Sequence, residues 1–402
     1  MKLLHTADWH LGHRLHEHSQ HEEQLLFLQW ITYQITILEI DILLISGDIY
    51  DTGVPATQSQ KMYYDFLINL QQTKCSHVVI TGGNHDAPGT INAPKTLLQA
   101  LSIHVVGKAT ENIADEIFEL SVADEQIIIA AVPYLRDQDI RRAVAGETFD
   151  QITDRYKTAL VNHYTEAADY CNKLKKEQVP IIAMGHLFAI GGSTSDSEQN
   201  IYVGTLGHIG AEDFPKTFDY VALGHLHRPQ IIGGCNHIRY SGSPNILSFS
   251  EIGYDKKIIV LETQKDTSLK IEEVIIPTFR KVLQIKGNPE ECIAKLHAID
   301  SNNTPLTIWV EIVLDITSGI PIDNSEINKA VQDTNIEILK ITVKKERTIK
   351  GLEQLIDHRQ LIKELSPIDV FQNKCKEEGI DLKEHPELLD AFQEIVSIVR
   401  NN

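Results

Sequence analysis

Along the first two-thirds of the chain, short apolar runs alternate with longer stretches in which apolar residues recur at helical spacing. Leu3-Leu4, Ile42-Leu43-Leu44-Ile45, Val78-Val79-Ile80, the run 127–132, Ile181-Ile182-Ala183-Met184 and Val221-Ala222-Leu223 predict buried strands. Leu25, Leu26, Leu28, Trp30 and Ile31 predict one helix; Met62, Tyr63, Phe66, Leu67 and Leu70 predict the next. Residues 1–275 therefore read as an α/β domain, with 138–178 as an inserted helical segment. Strands around 239–241, 257–261 and 269–274 are expected to close it as a second sheet packed on the first.

A boundary near Pro277 introduces a smaller pattern: strand 282–285, helix 289–299, strand 306–314, helix 325–331 and strand 337–343. Beyond it Leu352, Leu355, Ile356, Leu361, Ile362 and Leu365 form an apolar stripe. Ser366-Pro367 caps a second helix, Gly379 ends it, and Pro386 opens a third bearing Leu388, Phe392, Ile395 and Val399. The expected domains are 1–277, 278–346 and 347–402.

Composition narrows the class. With 42% hydrophobic and 23% charged residues the chain reads as an ordinary soluble protein. No apolar run approaches the ~18 residues of a membrane span, and Met1-Lys2-Leu3-Leu4 meets Asp8 too soon for a signal peptide. Cys75, Cys171, Cys235, Cys292 and Cys375 are scattered, with no C-x-x-C pair, which fits a reducing cytoplasm. The net charge of −19 argues against a general basic coat for nucleic acid. It leaves room for a phosphate substrate, because two divalent ions held by Asp8, Asp48 and neutral donors would leave a local charge of about +2.

The chemistry lies at strand ends. Five apolar runs lead into Asp8-Trp9-His10, Gly47-Asp48, Gly82-Gly83-Asn84-His85-Asp86, Gly185-His186 and Gly224-His225-Leu226-His227. In open α/β sheets the site lies outside the carboxyl ends of the strands, so these five are expected to converge. Asp8, His10, Asp48, Asn84, His186, His225 and His227 form a mixed oxygen and nitrogen donor set with no thiolate, suited to Mn²⁺, Fe²⁺ or Zn²⁺. Seven donors are too many for one ion. A carboxylate such as Asp48 can bridge two ions ~3.5–4 Å apart, the arrangement of in-line phosphoester hydrolysis. His85 is expected to act as a proton donor to the scissile phosphate or the leaving oxygen, with Asp86 fixing its tautomer. The Gly/Ser-rich stretch 191–198 lacks the Lys-Ser/Thr pair of a phosphate loop and reads as a flexible surface loop. His13, His16, His18 and His21, beside Arg14, Glu17 and Gln20, read as a solvated loop.

D-x-H, G-D-x-x-D as Gly47-Asp48-Ile49-Tyr50-Asp51, G-N-H-D, G-H and G-H-x-H together resemble the signature set of the calcineurin-like metallophosphoesterases. The opening 4–12, Val132-Pro133-Tyr134-Leu135, Ser195-Asp196-Ser197-Glu198, Tyr240-Ser241-Gly242-Ser243-Pro244 and Leu365-Ser366-Pro367 are similar to a bacterial nuclease branch of that superfamily. The resemblance implies a four-layer αββα sandwich with a small α/β capping domain at 278–346 and C-terminal helices. It implies one Mn²⁺ on Asp8, His10, Asp48 and His227, a second on Asp48, Asn84, His186 and His225, and a catalytic His85. It further implies DNA as substrate, with 3′-to-5′ exonuclease and hairpin-opening endonuclease activity in DNA repair and recombination. The tail would dock on a coiled-coil ATPase subunit. Two copies would pair through catalytic-domain helices, the segment from Glu22 and the helix with Tyr63 being candidates, within a heterotetramer. A small-molecule phosphodiesterase or phosphatase on the same fold is the competing reading, and a scaffold with a decayed site is a third.

Overall fold

The computed structural model describes residues 1–140, 149–176, 179–189, 191–199, 209–264, 268–301, 304–316 and 325–345, with Cys375, Leu388 and Phe392. The helical tail expected from 347 onward lies outside the described residues, apart from those three positions.

Four parallel strands form the centre of the first sheet: Lys2–Thr6, Ile42–Ser46, His77–Thr81 and Ile103–Val106. Lys257–Thr263 pairs antiparallel with Lys2–Thr6, and Leu269–Ile275 pairs antiparallel with it in turn. These two strands thus belong to the first sheet and do not build the second, as the sequence had suggested. Strand pairing is decided by spatial return to Lys2–Thr6, which local pattern does not encode. In the second sheet Glu125–Ala131, Ile181–His186, Tyr220–Gly224 and Cys235–Tyr240 run parallel, and Ile117–Val122 and Gln230–Ile232 are antiparallel edges.

Alternation along each strand explains the layering. Leu3, Ile42, Leu44 and Val79 meet Ile127, Ile129, Ile182, Met184 and Ala222 in a core between the sheets. Leu4, Leu43, Ile45 and Ile80 point the other way, onto helices His21–Ile37 and Thr57–Leu70. Ala130, Ala183, Val221 and Leu223 face the helix Phe149–Leu174 through Leu160, Tyr164, Ala167 and Cys171. The order is helix, sheet, sheet, helix. Within the segment expected as an insert, 138–178, the helix Phe149–Leu174 is therefore the outer layer itself: its Leu160, Tyr164, Ala167, Cys171 spacing is the apolar stripe a sheet face requires.

Residues from Val282 form a three-stranded sheet, Val282–Gly287, Ile308–Ile316 and Ile336–Lys345, with helices Pro289–His297 and Ser325–Lys329. Asn288 opens the first of these helices with a capping box: its side chain accepts from the Glu291 amide, and Glu291 accepts from the Asn288 amide. This sheet packs on the body through Val282, Trp309, Leu15 and Phe249. Arg280 lies 4.0 Å from the centre of the Trp309 ring and pairs with Glu22 and Glu23 on His21–Ile37. The described residues up to Asp315, with 325–344, consequently make one compact unit.

Candidate metal centre

Within each sheet the register brings the chemistry to one end. Thr6 pairs with Ile45 and Ser46 with Thr81, so Asp8, Asp48 and Asn84 leave the first sheet on the same side; Gly224 pairs with His186 in the second. Tight backbone turns then aim the side chains. Asp8, His10, Asp48 and His225 all have positive φ, at 53°, 44°, 47° and 105°, a region that costs a non-glycine residue of order 1–3 kcal/mol. A Cβ at Gly83 would overlap Asp48, and one at Gly224 would overlap the carbonyl of Ser46, so close approach of the loops demands glycine at both.

All seven predicted donors come together. Oxygen and nitrogen atoms of Asp8, His10 and Asp48 lie within 4.8 Å of one another, as do those of Asp48, His186 and His225. Asp48 is common to both groups. Asn84 Oδ1 lies 2.9 Å from His186 Nε2 and 2.9 Å from His225 Nδ1, completing the second group. The His227 ring centre stands 5.0 Å from that of His10, on the side of the first.

The cluster leaves a buried oxygen that a cation would satisfy, and its charges are strongly shifted by burial and by one another. His186 Nδ1 donates to the Ser46 carbonyl at 3.0 Å, so in the neutral ring Nε2 carries a lone pair. That lone pair faces Asn84 Oδ1 and, at 3.2 Å, Asp48 Oδ2. Burial would lower the pKa of His186, but Asp48 outweighs it and raises the imidazole to about 9. Burial likewise works to raise Asp48, yet His186 and then His10 hold it well below the ordinary carboxylate range. Burial lifts Asp8 to about 7 and depresses His10 to about 4. Asp8 Oδ2 is buried with no hydrogen-bond partner, although Oδ1 accepts from the His225 amide at 2.8 Å. Buried polar atoms are rarely left so. The donor set and the orphaned oxygen fit divalent cations: Asp8, His10, Asp48 and His227 would hold one, and Asp48, Asn84, His186 and His225 the other.

Asp86 departs from its expected role. Its carboxylate accepts from the amides of Gly83, Ile49 and Tyr50, at 2.9, 3.1 and 3.1 Å. It ties the Asn84 loop to the Asp48 loop, and burial raises it to about 6. The tautomer of His85 is fixed instead by the Asp51 carbonyl, which accepts from Nδ1 at 2.8 Å. The expected Asp86–His85 pairing is corrected accordingly, since the buried backbone amides already claim that carboxylate.

Behind the donors lies a layer that the sequence pattern did not assign. Asp51 Oδ1 sits 3.3 Å from His10 Nδ1 and 2.7 Å from His13 Nδ1; the last position of G-D-x-x-D was its signal. His227 Nδ1 lies 3.1 Å from Glu251 Oε1 and 2.8 Å from Ser197 Oγ, leaving Nε2 for an ion. Glu198 accepts from the His227 amide. Lys256 Nζ pairs with Glu251 at 2.6 Å and donates to the His227 carbonyl at 3.3 Å; Lys256 above all holds Glu251 well below the usual range against the effect of burial. The stretch expected to be a flexible surface loop thus includes buried Ser195, whose hydroxyl donates to Glu251 at 3.2 Å, and buried Glu198, which braces His227 directly. The histidines expected in a solvated loop also have partners: besides His13, His16 stacks on Phe249 and His18 meets Trp309 edge-on.

Two family models match separate stretches of the chain. A family model described as calcineurin-like phosphoesterase matches residues 1–229. A second, described as type 5 capsule protein repressor C-terminal domain, matches 278–379. The SbcD subunit of nuclease SbcCD from Escherichia coli strain K12 is 31% identical over 393 residues, 98% of this chain and 97% of that protein. The protein of the same name from Bacillus subtilis strain 168 is 28% identical over 326 residues, 80% of this chain and 81% of that protein. That of Rhodobacter capsulatus is 33% identical over 274 residues, 65% of this chain and 66% of the relative.

Proposed function

The chain belongs to the calcineurin-like phosphoesterase family, and from that premise we propose that it is the nuclease subunit of an SbcCD-type complex. It cleaves DNA as a 3′-to-5′ exonuclease and a hairpin-opening endonuclease with two Mn²⁺ ions. The observation that carries this reading is the convergence of seven donors around Asp48, with Asp8 Oδ2 left for a cation. The complete donor set speaks against a decayed scaffold. When bound, such ions act as Lewis acids on a phosphoryl group and stabilise the oxygens of an in-line displacement.

The chain's own groups supply the rest. Glu251 and the Ser46 carbonyl fix the tautomers of His227 and His186 by accepting from their Nδ1 N–H groups. With Nδ1 of His85 held by Asp51, Nε2 is the atom at which a proton is given to the departing oxygen. The tail from 347 binds an SbcC-type coiled-coil ATPase in this reading. Leu25, Tyr33, Ile37 and Ile68, exposed on helices His21–Ile37 and Thr57–Leu70, support pairing of two copies there. Among the described residues no helix is long and apolar enough to cross a membrane, and the proposed substrate puts the work in the cytoplasm.

The deciding experiment is cleavage of a labelled hairpin duplex against a generic phosphodiester, in Mn²⁺ or Mg²⁺, with and without partner and ATP. Faster hairpin cleavage with Mn²⁺ is expected. Preference for the generic ester would assign a small-molecule phosphodiesterase or phosphatase instead.

A further inference from the structure

Away from the metal donors, a cavity of about 190 Å³ opens where the small sheet meets the body. Its walls contain Gln20, Glu23, Asn245 and Tyr254, with Ile246 and Phe279 among its apolar surfaces. Gln20, Glu23 and Asn245 are each more than nine-tenths buried. Each has a polar atom without a hydrogen-bond partner: Gln20 Oε1, Glu23 Oε2 and Asn245 Nδ2; the Tyr254 hydroxyl is a fourth. Together they offer two acceptors and two donors to an occupant of the cavity.

Their chemistry is specific. Gln20 Nε2 donates to the Ile246 carbonyl at 2.7 Å, which fixes its Oε1 as an acceptor. Gln20 and Glu23 stand three residues apart at the start of His21–Ile37, close enough for both to meet one edge of a ligand. Two acceptors, one a carboxylate, match two adjacent N–H donors. Asn245 Nδ2 and the Tyr254 hydroxyl match acceptors. A simple cation fits poorly, since Arg280 already pairs with Glu23 Oε1 at 3.0 Å and an amide N–H₂ repels a cation. For scale, a cavity of about 150 Å³ takes one benzene ring.

We propose that this cavity binds a guanine-type base. The ring N–H and exocyclic amine address Glu23 and Gln20, and the ring carbonyl and imidazole nitrogen accept from Asn245 and Tyr254. An occupant would also touch Lys256, which lines the cavity and braces His227. This assignment goes beyond the nuclease reading and does not depend on it.

The test is calorimetric titration of the full chain with guanosine in EDTA, which has neither a phosphate nor a metal through which to reach the centre around Asp48. Saturable binding is expected, with adenosine at least about tenfold weaker because it lacks the ring N–H donor. Asn245→Ala and Tyr254→Phe should each weaken guanosine about five- to tenfold, circular dichroism confirming an unchanged fold; the second removes only one oxygen. No saturation by guanosine, equal binding of adenosine, or indifference to both substitutions would overturn the assignment and leave the cavity to water.

Discussion

His186 Nε2 stands 3.2 Å from Asp48 Oδ2, although one side chain ends a strand of the second sheet and the other follows a strand of the first. The contact joins the two sheets at their carboxyl ends, and Asp48 is the member common to both donor groups.

Asp48→Asn should therefore disable both halves of the centre at once. Calorimetric titration with Mn²⁺ is expected to give two equivalents for the parent chain and at most one for the variant. Cleavage of DNA should fall by at least about 10²-fold. Two equivalents retained by the variant would remove Asp48 as the bridge.

His85→Ala separates chemistry from binding. Its ring is tethered to the Asp51 carbonyl, and it belongs to neither ion's expected shell. Metal stoichiometry should be unchanged while phosphodiester cleavage drops ~10²–10⁴-fold. Equal rates would exclude His85 from proton transfer.

His5 makes stability depend on pH. It lies buried between the sheets, with Nδ1 3.0 Å from the Tyr220 hydroxyl and Nε2 3.2 Å from the Leu223 carbonyl. Burial lowers its pKa from 6.5 to about 3. The folded state keeps the ring neutral while the unfolded chain protonates it, so this contribution is full above pH 6.5 and is lost as pH falls toward 3. In EDTA, the loss of unfolding free energy between pH 7 and pH 5 should be smaller by about 2 kcal/mol in His5→Gln than in the parent. Parallel pH profiles would contradict this account.

Arg280 ties the small sheet to the body through Glu22 and Glu23, the second pair being buried. Arg280→Met strands the Glu23 carboxylate and should cost about 3–5 kcal/mol in denaturant unfolding. Adding Glu23→Gln should restore most of that loss. A purely additive double variant would mean that the pair contributes no coupling.

Truncation after Thr348 tests the tail. The shortened chain should keep its metal stoichiometry and lose co-purification with the ATPase subunit. Retained co-purification would place the docking surface elsewhere.

The convergence of the proposed donors was legible in the sequence because each follows a short apolar strand at a turn, a pattern carried by neighbouring residues such as Gly47-Asp48 and Gly224-His225. Glu251 and Lys256 were not, because what makes them matter is contact with His227 from a polar stretch that resembles any surface loop. Asp86 shows the same limit. Adjacency to His85 suggested a pair, but backbone amides 36 and 37 residues earlier, at Tyr50 and Ile49, take its oxygens. The helix Phe149–Leu174 read as an insert because nothing local tells an added helix from an outer layer; only the sheet face it covers does.

Four of the proposed donors, Asp8, His10, Asp48 and His225, occupy left-handed backbone that glycine would adopt with less strain. Selection for a sturdier fold and selection for cleavage thus pull in opposite directions at these positions. Any laboratory evolution of thermal tolerance that does not also screen for catalysis should drift toward inert variants there first.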